Sequence, residues 1–386
     1  MKLLHTADWH LGKRLDHFSR LPEQAQVLAE ICDIAEREQP DAILIAGDVY
    51  DTFNPPVEAI ELFYKTVHRL SAGGKRAVVV IAGNHDSPDR IEASDPLARA
   101  CGILLAGLPG SELHPLHLES GLRSLRREPG FIELALPACE APLRLILTPY
   151  ANELRLRTWL GDDHPEKQLR QVLQQRWTEL AERYCDTQGV NVLMAHLFFM
   201  PENGVRPEEP EDEKPILTVG GATEMYPQNL PPQLQYAALG HLHRPHTVAS
   251  APCPLVYPGS PLSFSMSEAG QQKQVVMIEA NPGQSVHYQS IPLHSGRPLQ
   301  RKTFHKVEDA LEWLRFNPMS LVELTMVSNT YLKAEERKQL FDAHSGIITL
   351  IPRLENPDGQ AESPGQSIDL SKHIEELFAD YFQHKN

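Results

Sequence analysis

Five short clusters of potential metal ligands stand directly after predicted strands of this sequence. Their aspartate, histidine and asparagine side chains offer carboxylate, imidazole and amide atoms, a mixture that suits Mn²⁺, Fe²⁺ or Zn²⁺ better than Ca²⁺ or a thiolate-rich site. The clusters are Asp8-Trp9-His10, Gly47-Asp48 with Asp51, Gly83-Asn84-His85-Asp86, Ala195-His196 and Gly240-His241-Leu242-His243. Ligands of an open α/β sheet gather at the carboxyl ends of its strands, so the five clusters are expected to converge on one site.

The spacing within two of the clusters favours a shared site. Residues at i and i+2 on an extended chain point the same way, so Asp8 and His10 are expected to reach one site together. The same argument applies to His241 and His243. Asp48 has two carboxylate oxygens and could bridge two metal ions about 3.5–4 Å apart, as in enzymes that carry out in-line displacement at phosphorus.

Three of the clusters begin with a glycine, namely Gly47, Gly83 and Gly240. Because glycine lacks a Cβ atom, the chain can turn sharply there and other atoms can approach it closely. We therefore expect tight turns at these strand ends, with the backbone close to the metal ions.

Taken singly, each cluster also has an ordinary structural interpretation. An aspartate and a histidine two residues apart are common on protein surfaces. Asp51 suits a cap for the following helix, and His196 alone is typical of a hydrogen-bonded core histidine. The occurrence of all five clusters together, each after an apolar strand, favours the metal site.

The first part of the chain alternates strand and helix patterns. Apolar runs predict strands at Lys2–His5, Ala42–Ala46 and Ala77–Ala82. Apolar residues at helical spacing predict helices over Pro22–Glu38 and Pro56–Leu70. This order predicts a parallel sheet with helices on its faces.

Later apolar runs have few long helices between them, which predicts a second, more antiparallel sheet. The runs are Leu143–Leu147, Val190–Ala195, Tyr236–Leu239, Leu255–Tyr257 and Val275–Ile278. A polar helix is expected over Asn152–Tyr184, and its many charged and amide side chains are typical of a solvated face. The predicted fold class is α/β, a four-layer αββα sandwich with a small C-terminal α+β domain.

The C-terminal third predicts this separate unit. Helix and strand patterns alternate at Lys306–Phe316, Ser320–Val327, Lys333–Phe341 and Ile347–Arg353. Beyond it, Asn356–Gln366 has the composition of a linker, and Ser367–Phe382 is an amphipathic helix capped by its first residue. A long acidic, proline-rich loop is expected at Pro201–Pro215.

The overall composition is that of a folded protein outside the membrane. The 386 residues are 41% hydrophobic and 23% charged, and no apolar run approaches the ~18 residues that span a bilayer. A formal net charge of −15 argues against a protein that grips nucleic acid through its overall charge alone. Metal ions, local basic patches or a partner could still supply positive charge. Five scattered cysteines without a CxxC pair indicate reduced thiols, so a cytoplasmic location is expected.

The order of the five clusters resembles that of the calcineurin-like metallophosphoesterases. More narrowly, longer stretches resemble the SbcD family, the nuclease subunits of bacterial SbcC–SbcD complexes that process DNA double-strand ends and hairpins. These stretches are HTADWHLGKRL, AGDVYDTFNPP, AGNHDSPDR, YAALGHLHRPH and YPGSPLSFS. The resemblance is strong over about the first 280 residues and holds only in outline beyond them.

The resemblance implies ligands for two divalent metal ions, with Mn²⁺ as the expected metal. Each ion would have four ligands, and one carboxylate would be shared. The first ion would be held by Asp8, His10, Asp48 and His243, and the second by Asp48, Asn84, His196 and His241.

Three neighbouring residues receive roles from the resemblance as well. His85 would face the scissile phosphate, where it would stabilise charge or protonate the leaving 3′-oxygen. Asp86 would orient His85, as a carboxylate commonly orients an imidazole. Archaeal members have a second active-site histidine where this chain has Asp51, so two interpretations of Asp51 stay open, a part in orienting DNA or ligands and plain helix capping.

The resemblance further implies a metal-dependent DNA nuclease, a 3′–5′ exonuclease on double strands and an endonuclease on single strands and hairpins. Residues 1–294 would form the nuclease domain and 295–355 a capping and DNA-recognition domain. Residues 356–386 would be a linker and a helix that docks an SbcC-like coiled-coil ATPase. This terminal helix could instead pack on its own domain.

DNA contacts and a homodimer are expected by the same resemblance. Lys13, Arg14 and Arg244 are candidate contacts to DNA phosphates, although exposed basic residues often face only solvent. The segments expected to pair two copies of the chain are Pro56–Leu70 and Asp89–Ala100.

Two other functions are compatible with the same fold. A small-molecule phosphodiesterase or phosphatase needs only the sandwich, whereas a DNA enzyme gains from an extra domain beside the cleft. A non-catalytic interaction module would keep the fold and lose the ligands. Ligand types are complete in all five clusters, which argues strongly against the module.

Overall fold

The computed structural model describes residues 1–156, 164–202, 204 and 224–354. Most of the predicted acidic loop at 201–215 lies outside these residues. The predicted linker at 356–366 and the predicted terminal helix at 367–382 lie outside them as well.

The described residues form strands and helices that are numbered here in chain order. The strands are β1 (Lys2–Thr6), β2 (Arg14–Leu15), β3 (Phe18–Ser19), β4 (Ala42–Ala46), β5 (Ala77–Ile81), β6 (Ile103–Ala106), β7 (Arg123–Glu128), β8 (Phe131–Ala135), β9 (Leu143–Thr148), β10 (Val190–His196), β11 (Tyr236–Gly240), β12 (His246–Ala249), β13 (Leu255–Tyr257), β14 (Gln274–Glu279), β15 (His287–Pro292), β16 (Leu299–Phe304), β17 (Leu321–Ser328) and β18 (Ile347–Leu354). The α-helices are α1 (Leu21–Glu38), α2 (Val57–Ser71), α3 (Pro88–Glu92), α4 (Asp95–Ala100), α5 (Glu153–Leu156), α6 (Pro165–Tyr184), α7 (Val307–Phe316) and α8 (Ala334–Ala343).

The first sheet has six strands in the order β15-β14-β1-β4-β5-β6. Strands β1, β4, β5 and β6 are parallel to one another, which confirms the parallel sheet predicted from the first part of the chain. Their residues are almost all buried because helices cover one face and the second sheet covers the other.

The second sheet has seven strands in the order β12-β13-β11-β10-β9-β8-β7. A more antiparallel sheet was expected from these runs, but four of them form β9, β10, β11 and β13, which are parallel to one another. Among the described strands of this sheet, antiparallel pairs lie at its two edges, between β7 and β8, between β8 and β9, and between β12 and β13. The run Val275–Ile278 belongs to β14 of the first sheet, where it pairs antiparallel with β1. An apolar run carries no information about which strand will pair with it, and this explains both errors.

Three apolar layers show that the sheets stack with helices outside. Leu44 and Val79 of the first sheet share a core with Leu145 and Val192 of the second. Helices α1 and α2 cover the outer face of the first sheet, and α6 covers the outer face of the second. This arrangement confirms the predicted four-layer αββα fold class.

The predicted polar helix ends at Tyr184 as expected, but it differs from expectation in an interruption before α6 and on one face. Its N-terminal part is the short helix α5, and α6 starts at Pro165 after His164, whose φ of 57° is left-handed. Helix α6 buries Leu173 and Trp177 against the second sheet, so one face is core and not solvated. Within the described ranges, no helix has the length and apolarity needed to cross a bilayer.

The chain divides into two compact units after Gln300. In the second unit, strands β16, β17 and β18 form one sheet, and β17 and β18 are parallel. Helices α7 and α8 pack with this sheet around a small core that includes Leu314, Leu324 and Leu340. The two helices and two strands predicted for this region are confirmed to within a few residues.

Candidate metal centre

All five ligand clusters lie at the carboxyl ends of parallel strands, where the two sheets meet. Asp8 and His10 follow β1, Asp48 follows β4, and the Asn84-His85 pair follows β5. From the second sheet, His196 ends β10, while His241 and His243 follow β11. Three groups of residues could each hold a metal ion, because within each group the ligand atoms lie within 4.8 Å of one another. The groups are Asp8, His10 and His243; His10, Asp51 and His85; and Asp48, His196 and His241.

Left-handed backbone, not extended chain, brings the ligands together. The φ angles are 55° at Asp8, 44° at His10, 48° at Asp48 and 109° at His241. These values are uncommon for residues other than glycine and concentrate where a fold holds a functional site in a strained geometry. The side chains therefore converge as predicted, but left-handed turns and not the alternation of an extended chain bring them together.

The close approach predicted at the three glycines is confirmed. A Cβ atom on Gly83 would lie 2.1 Å from Asp48 Oδ1, and one on Gly240 would lie 1.8 Å from the carbonyl oxygen of Ala46. At Gly47 the φ angle is +92°, and a Cβ atom would lie 2.2 Å from Nδ1 of His196. Each position therefore excludes any larger residue unless the ligands move.

The first group of ligand atoms contains two imidazoles and a carboxylate. Nε2 of His10 lies 3.0 Å from Nε2 of His243. Asp8 Oδ1 accepts a hydrogen bond of 2.9 Å from the backbone N–H of His241, whereas Asp8 Oδ2 is buried without a hydrogen-bond partner in the described part of the chain. A buried carboxylate oxygen left without a donor is costly, and a cation held between these atoms would satisfy it.

The second group surrounds the amide oxygen of Asn84. Nε2 of His196 and Nδ1 of His241 each lie 3.0 Å from Asn84 Oδ1. The Nδ1–H group of His196 donates to the backbone carbonyl of Ala46 at 2.8 Å, because that carbonyl can only accept. In the neutral form of the ring, which a metal ligand must adopt, this bond leaves Nε2 of His196 with its lone pair directed at the centre of the group, as in metal sites whose histidines are oriented by an outer partner.

Asp48 lies between the two groups. Its Oδ2 atom is 3.5 Å from Nε2 of His10 and 3.3 Å from Nε2 of His196. Its Oδ1 atom accepts a 2.9 Å hydrogen bond from the backbone N–H of His85. The donor set therefore fits two divalent cations that share one carboxylate.

Burial and the carboxylate of Asp48 shift the pKa values of the buried side chains in different directions. Burial lowers the pKa of His10 and of His241 to about 3, so both imidazoles are neutral, as metal ligands must be. Burial also opposes the charged form of His196, but Asp48 outweighs it and raises the pKa of this imidazole to about 9. Burial raises the pKa of Asp8 to about 7.

The surroundings of His85 correct one prediction. The Nδ1–H group of His85 donates to the backbone carbonyl of Asp51 at 2.9 Å, which leaves Nε2 as the nitrogen available to a substrate. The carboxylate of Asp86 instead accepts the backbone N–H groups of Val49, Tyr50 and Gly83 at 2.8–3.0 Å. The prediction that Asp86 orients the His85 ring is therefore wrong, since Asp86 joins two loops through their backbones.

The helix-cap interpretation of Asp51 is also wrong, because the residue that precedes α2 is Pro56. The Asp51 carboxylate forms a 2.8 Å ion pair with Lys13 and lies 3.4 Å from Nδ1 of His10. Asp51 therefore borders the site through its side chain as well as its carbonyl.

The sequence analysis missed a buried ion pair behind His243. Glu268 Oε1 lies 3.6 Å from Nδ1 of His243, while the Glu268 carboxylate pairs with the buried ammonium group of Lys273. Lys273 also donates to the backbone carbonyl of His243 at 3.1 Å. A signal was available, because Ser265 and Glu268 have the S-x-x-E spacing of a capping box, which the structure contains.

Arg155 is a second residue that the sequence analysis missed. Its guanidinium group donates to the backbone carbonyls of Gly83 and Asp86, each at 2.8 Å, and so lies directly behind the loop that carries Asn84 and His85. Nothing in its sequence neighbourhood distinguished it from the other arginines of a polar helical segment.

The three candidate DNA contacts differ in their surroundings. Lys13 is engaged with Asp51, whereas Arg14 and Arg244 are exposed beside the loops that carry the ligands. Arg14 donates to the backbone carbonyl of His17 at 2.5 Å. Neither exposed residue is brought into the metal centre itself.

Sequence comparisons match this chain to one family of known proteins. Residues 1–138 match the family model described as Calcineurin-like phosphoesterase. The SbcD subunit of the SbcCD nuclease of Bacillus subtilis is 38% identical over 369 residues, which are 94% of this chain and 88% of that protein. The SbcD subunits from Rhodobacter capsulatus and Staphylococcus epidermidis are 33% and 31% identical over 305 residues, in each case 78% of this chain and 71% of that protein.

Proposed function

The chain belongs to the SbcD family of SbcCD nuclease subunits and is a metal-dependent nuclease with the calcineurin-like phosphoesterase fold, and from this premise we propose which DNA it cuts and how. It acts on double-stranded DNA from 3′ ends and as an endonuclease on single strands and hairpins. It works in DNA end processing together with an SbcC-like coiled-coil ATPase. Residues 1–294 carry the nuclease activity, and residues 295–355 recognise DNA.

One observation carries the proposal, namely that Asp48 lies between two groups of ligand atoms that are otherwise separate. Two divalent ions bound there, with Mn²⁺ as the proposed metal, would supply the charge that activates an attacking oxygen and stabilises both oxygens of an in-line displacement at phosphorus. We assign the first ion to Asp8, His10, Asp48 and His243, and the second to Asp48, Asn84, His196 and His241.

His85 contributes what the ligands do not. Its Nδ1–H bond to the Asp51 carbonyl fixes the ring, and its backbone N–H bond to Asp48 ties it to the centre of the site. Nε2 is then held ready to donate a proton to the leaving 3′-oxygen or to stabilise charge on the phosphate. Arg14 and Arg244, both exposed, extend positive charge from the site toward DNA phosphates.

The function is tested on linear duplex and hairpin DNA with Mn²⁺. The wild-type chain should degrade or open these substrates, and His85→Gln should lose about 100-fold or more in rate, within the range for a lost general acid, while still binding two metal ions by calorimetry. His114→Gln, a change at an exposed histidine, is the matched control and should keep wild-type activity. Hydrolysis of small phosphodiesters with no action on any DNA would exclude the nuclease.

The proposed docking of the ATPase depends on residues 356–386, which lie outside the described ranges. Their sequence supports the proposal, because a stretch with the composition of a linker is followed by a pattern that predicts an amphipathic helix. Deletion of Ser367–Asn386 should abolish copurification with the SbcC-like partner and leave metal binding unchanged. A truncated chain that still copurifies would refute the assignment.

A homodimer is proposed on the basis of exposed apolar side chains beside the ligand loops. Phe53, Val57 and Leu97 are 53%, 74% and 79% exposed, and they lie on or next to the two segments expected to pair. Large apolar groups exposed in one region are typical of an interface. Sedimentation should give a dimer for the wild type and a monomer for Leu97→Glu, and a monomeric wild type would refute the dimer.

The nuclease is proposed to act in the cytoplasm. The unpaired thiols of all five cysteines fit this reducing compartment.

A further inference from the structure

The back of the loop at residues 83–86 is held by an arginine side chain. Arg155 Nη1 donates to the carbonyl of Gly83 at 2.8 Å, and Nη2 donates to the carbonyl of Asp86 at 2.8 Å. Nη2 also lies 3.4 Å from the carbonyl of Asn84. Three carbonyl oxygens of one four-residue loop therefore face one guanidinium group.

This guanidinium group is buried, since the side chain belongs to a residue that is only 9% exposed. Among the described residues, the hydrogen-bond partners of its terminal nitrogens are backbone carbonyls and not carboxylates. Burying a charge is costly unless hydrogen bonds and nearby opposite charges offset it. Here Asp86 and Asp48 supply the opposite charge from a distance.

Arg155 reaches this loop from the other sheet. It lies in α5, which follows β9 of the second sheet, while the loop at 83–86 follows β5 of the first. Its guanidinium carbon lies 5.2 Å from the ring centroid of Tyr150, and the Tyr150 ring lies 6.2 Å from the ring of His241. The side chain thus joins the part of the site that carries Asn84 and His85 to the part that carries His241.

We propose that Arg155 is a positioning residue that fixes the loop carrying Asn84 and His85 at the distance from Asp48 that catalysis requires. The inference rests on the proposed function, because it assigns His85 a place at the scissile phosphate. Arg155 does not itself contact the substrate, since its terminal nitrogens are occupied by loop carbonyls.

The planar fork of the guanidinium group is essential to this role. Arginine presents five N–H groups in fixed directions, whereas lysine has one compact ammonium group on a flexible stem. Lysine at position 155 would keep the charge but could not hold carbonyls at both ends of the loop at once. Glutamine would lose both the charge and most of the contacts.

The experiment compares Arg155→Gln and Arg155→Lys with wild type on bis(p-nitrophenyl) phosphate and on hairpin DNA at saturating Mn²⁺. Arg155→Gln should lower kcat about 100-fold, the loss that follows from a catalytic group misplaced by about 1 Å, while KM stays within about twofold. Arg155→Lys should lower kcat by about 10-fold, an intermediate loss.

A second readout needs no activity. In the metal-free chain, hydrogen exchange of the His85 and Asp86 amides should be faster in Arg155→Gln than in wild type, because these amides are hydrogen bonded only while the loop is held. Arg170→Gln is the matched control. Arg170 also donates to a backbone carbonyl and stacks on a tyrosine, 4.3 Å from the ring centroid of Tyr226, but it does not contact the loop at 83–86.

The possible outcomes separate the two levels of the proposal. A raised KM with unchanged kcat would show that Arg155 binds substrate, and equal losses in Arg155→Gln and Arg170→Gln would show general destabilisation; either result overturns the inference. If Arg155→Gln does not fold, Arg155→Lys decides, and a wild-type kcat in that variant also overturns it. A wild-type chain that cleaves neither substrate would refute the proposed function, while the exchange experiment would still test the contact.

Discussion

The two sheets contribute different chemistry to the metal centre. Loops of the first sheet supply the oxygen ligands of the assigned set, from Asp8, Asp48 and Asn84, whereas the second sheet supplies only imidazoles, from His196 and His241 together with His243. In the proposed site, the carboxylates would attract the cations, and neutral imidazoles would complete the coordination without adding further negative charge to a buried site.

The two sets are also held in place by different means. Three first-sheet residues, Asp8, His10 and Asp48, have left-handed backbone, and backbone hydrogen bonds such as those that Asp86 accepts join two of the loops. Second-sheet ligands are held through their rings or their own backbone, as His196 is by the Ala46 carbonyl and His243 is by Glu268. The comparison teaches that loop backbone places most of the first-sheet residues, His10 included, while surrounding side chains and carbonyls orient the rings of His196 and His243.

The largest effect is expected where the two sets meet. Asp48→Asn replaces the carboxylate that lies near both groups with an amide, so both ions should lose their shared ligand. Metal affinity should fall more than about 100-fold, beyond the range seen when only an outer partner is lost, and nuclease activity should vanish. Calorimetry with Mn²⁺ measures the affinity, and two ions bound with near wild-type affinity would contradict the shared role of Asp48.

A smaller effect, confined to one ion, is expected in the second sheet. Glu268→Gln removes the charge behind His243, and the affinity of the first metal site should fall about 10–100-fold while the second is unchanged. Glu133→Gln is the matched control, since Glu133 is an equally buried carboxylate paired with Arg126 and Arg144 away from the site. A two-site titration distinguishes the cases. Equal behaviour of the two variants would mean that Glu268 supports the fold and not the metal.

The smallest effect on metal binding is expected at Asp86. Asp86→Asn places an amide against backbone N–H groups and leaves at least one of them without an acceptor, at a cost of about 1–3 kcal/mol in stability. The melting temperature should fall, yet two ions should still bind. Loss of either ion would show that the backbone bonds of Asp86 set the ligand geometry more tightly than a structural role predicts.

The ligand types and the fold class were predictable because strand ends follow directly from apolar runs. Residues such as Asp8 and His243 carry donor atoms suited to metal ions, and their occurrence together after five apolar strands favours a shared metal site. The left-handed turns that aim them were not predictable, since φ at Asp8 depends on hydrogen bonds to residues such as Gly47 that are distant in sequence. For the same reason β14 was assigned to the wrong sheet, because its partner β1 is distant from it in sequence.

Supporting residues escape sequence reasoning when their contacts are long-range and their neighbourhood is polar. Arg155 lies 72 residues from the Gly83 carbonyl that it holds, in a segment whose charges resemble any solvated helix. The capping box of Glu268 could have been predicted from the sequence, but its contact with His243 could not. Side chains that act directly on metals can be read from their type, whereas those that act through others become visible only in three dimensions.

The position of β1 also has a consequence for the time at which the enzyme becomes active during synthesis. Strand β1 is flanked on one side by β14, with Lys2 opposite Glu279, and His241 is 233 residues removed from the Asp8 carboxylate that it contacts. At roughly 5–20 residues per second, a nascent chain waits many seconds before its second set of ligands is translated. Because ligands from both ends of the nuclease unit are needed, a ribosome-bound fragment cannot cut DNA before almost the whole unit has been made.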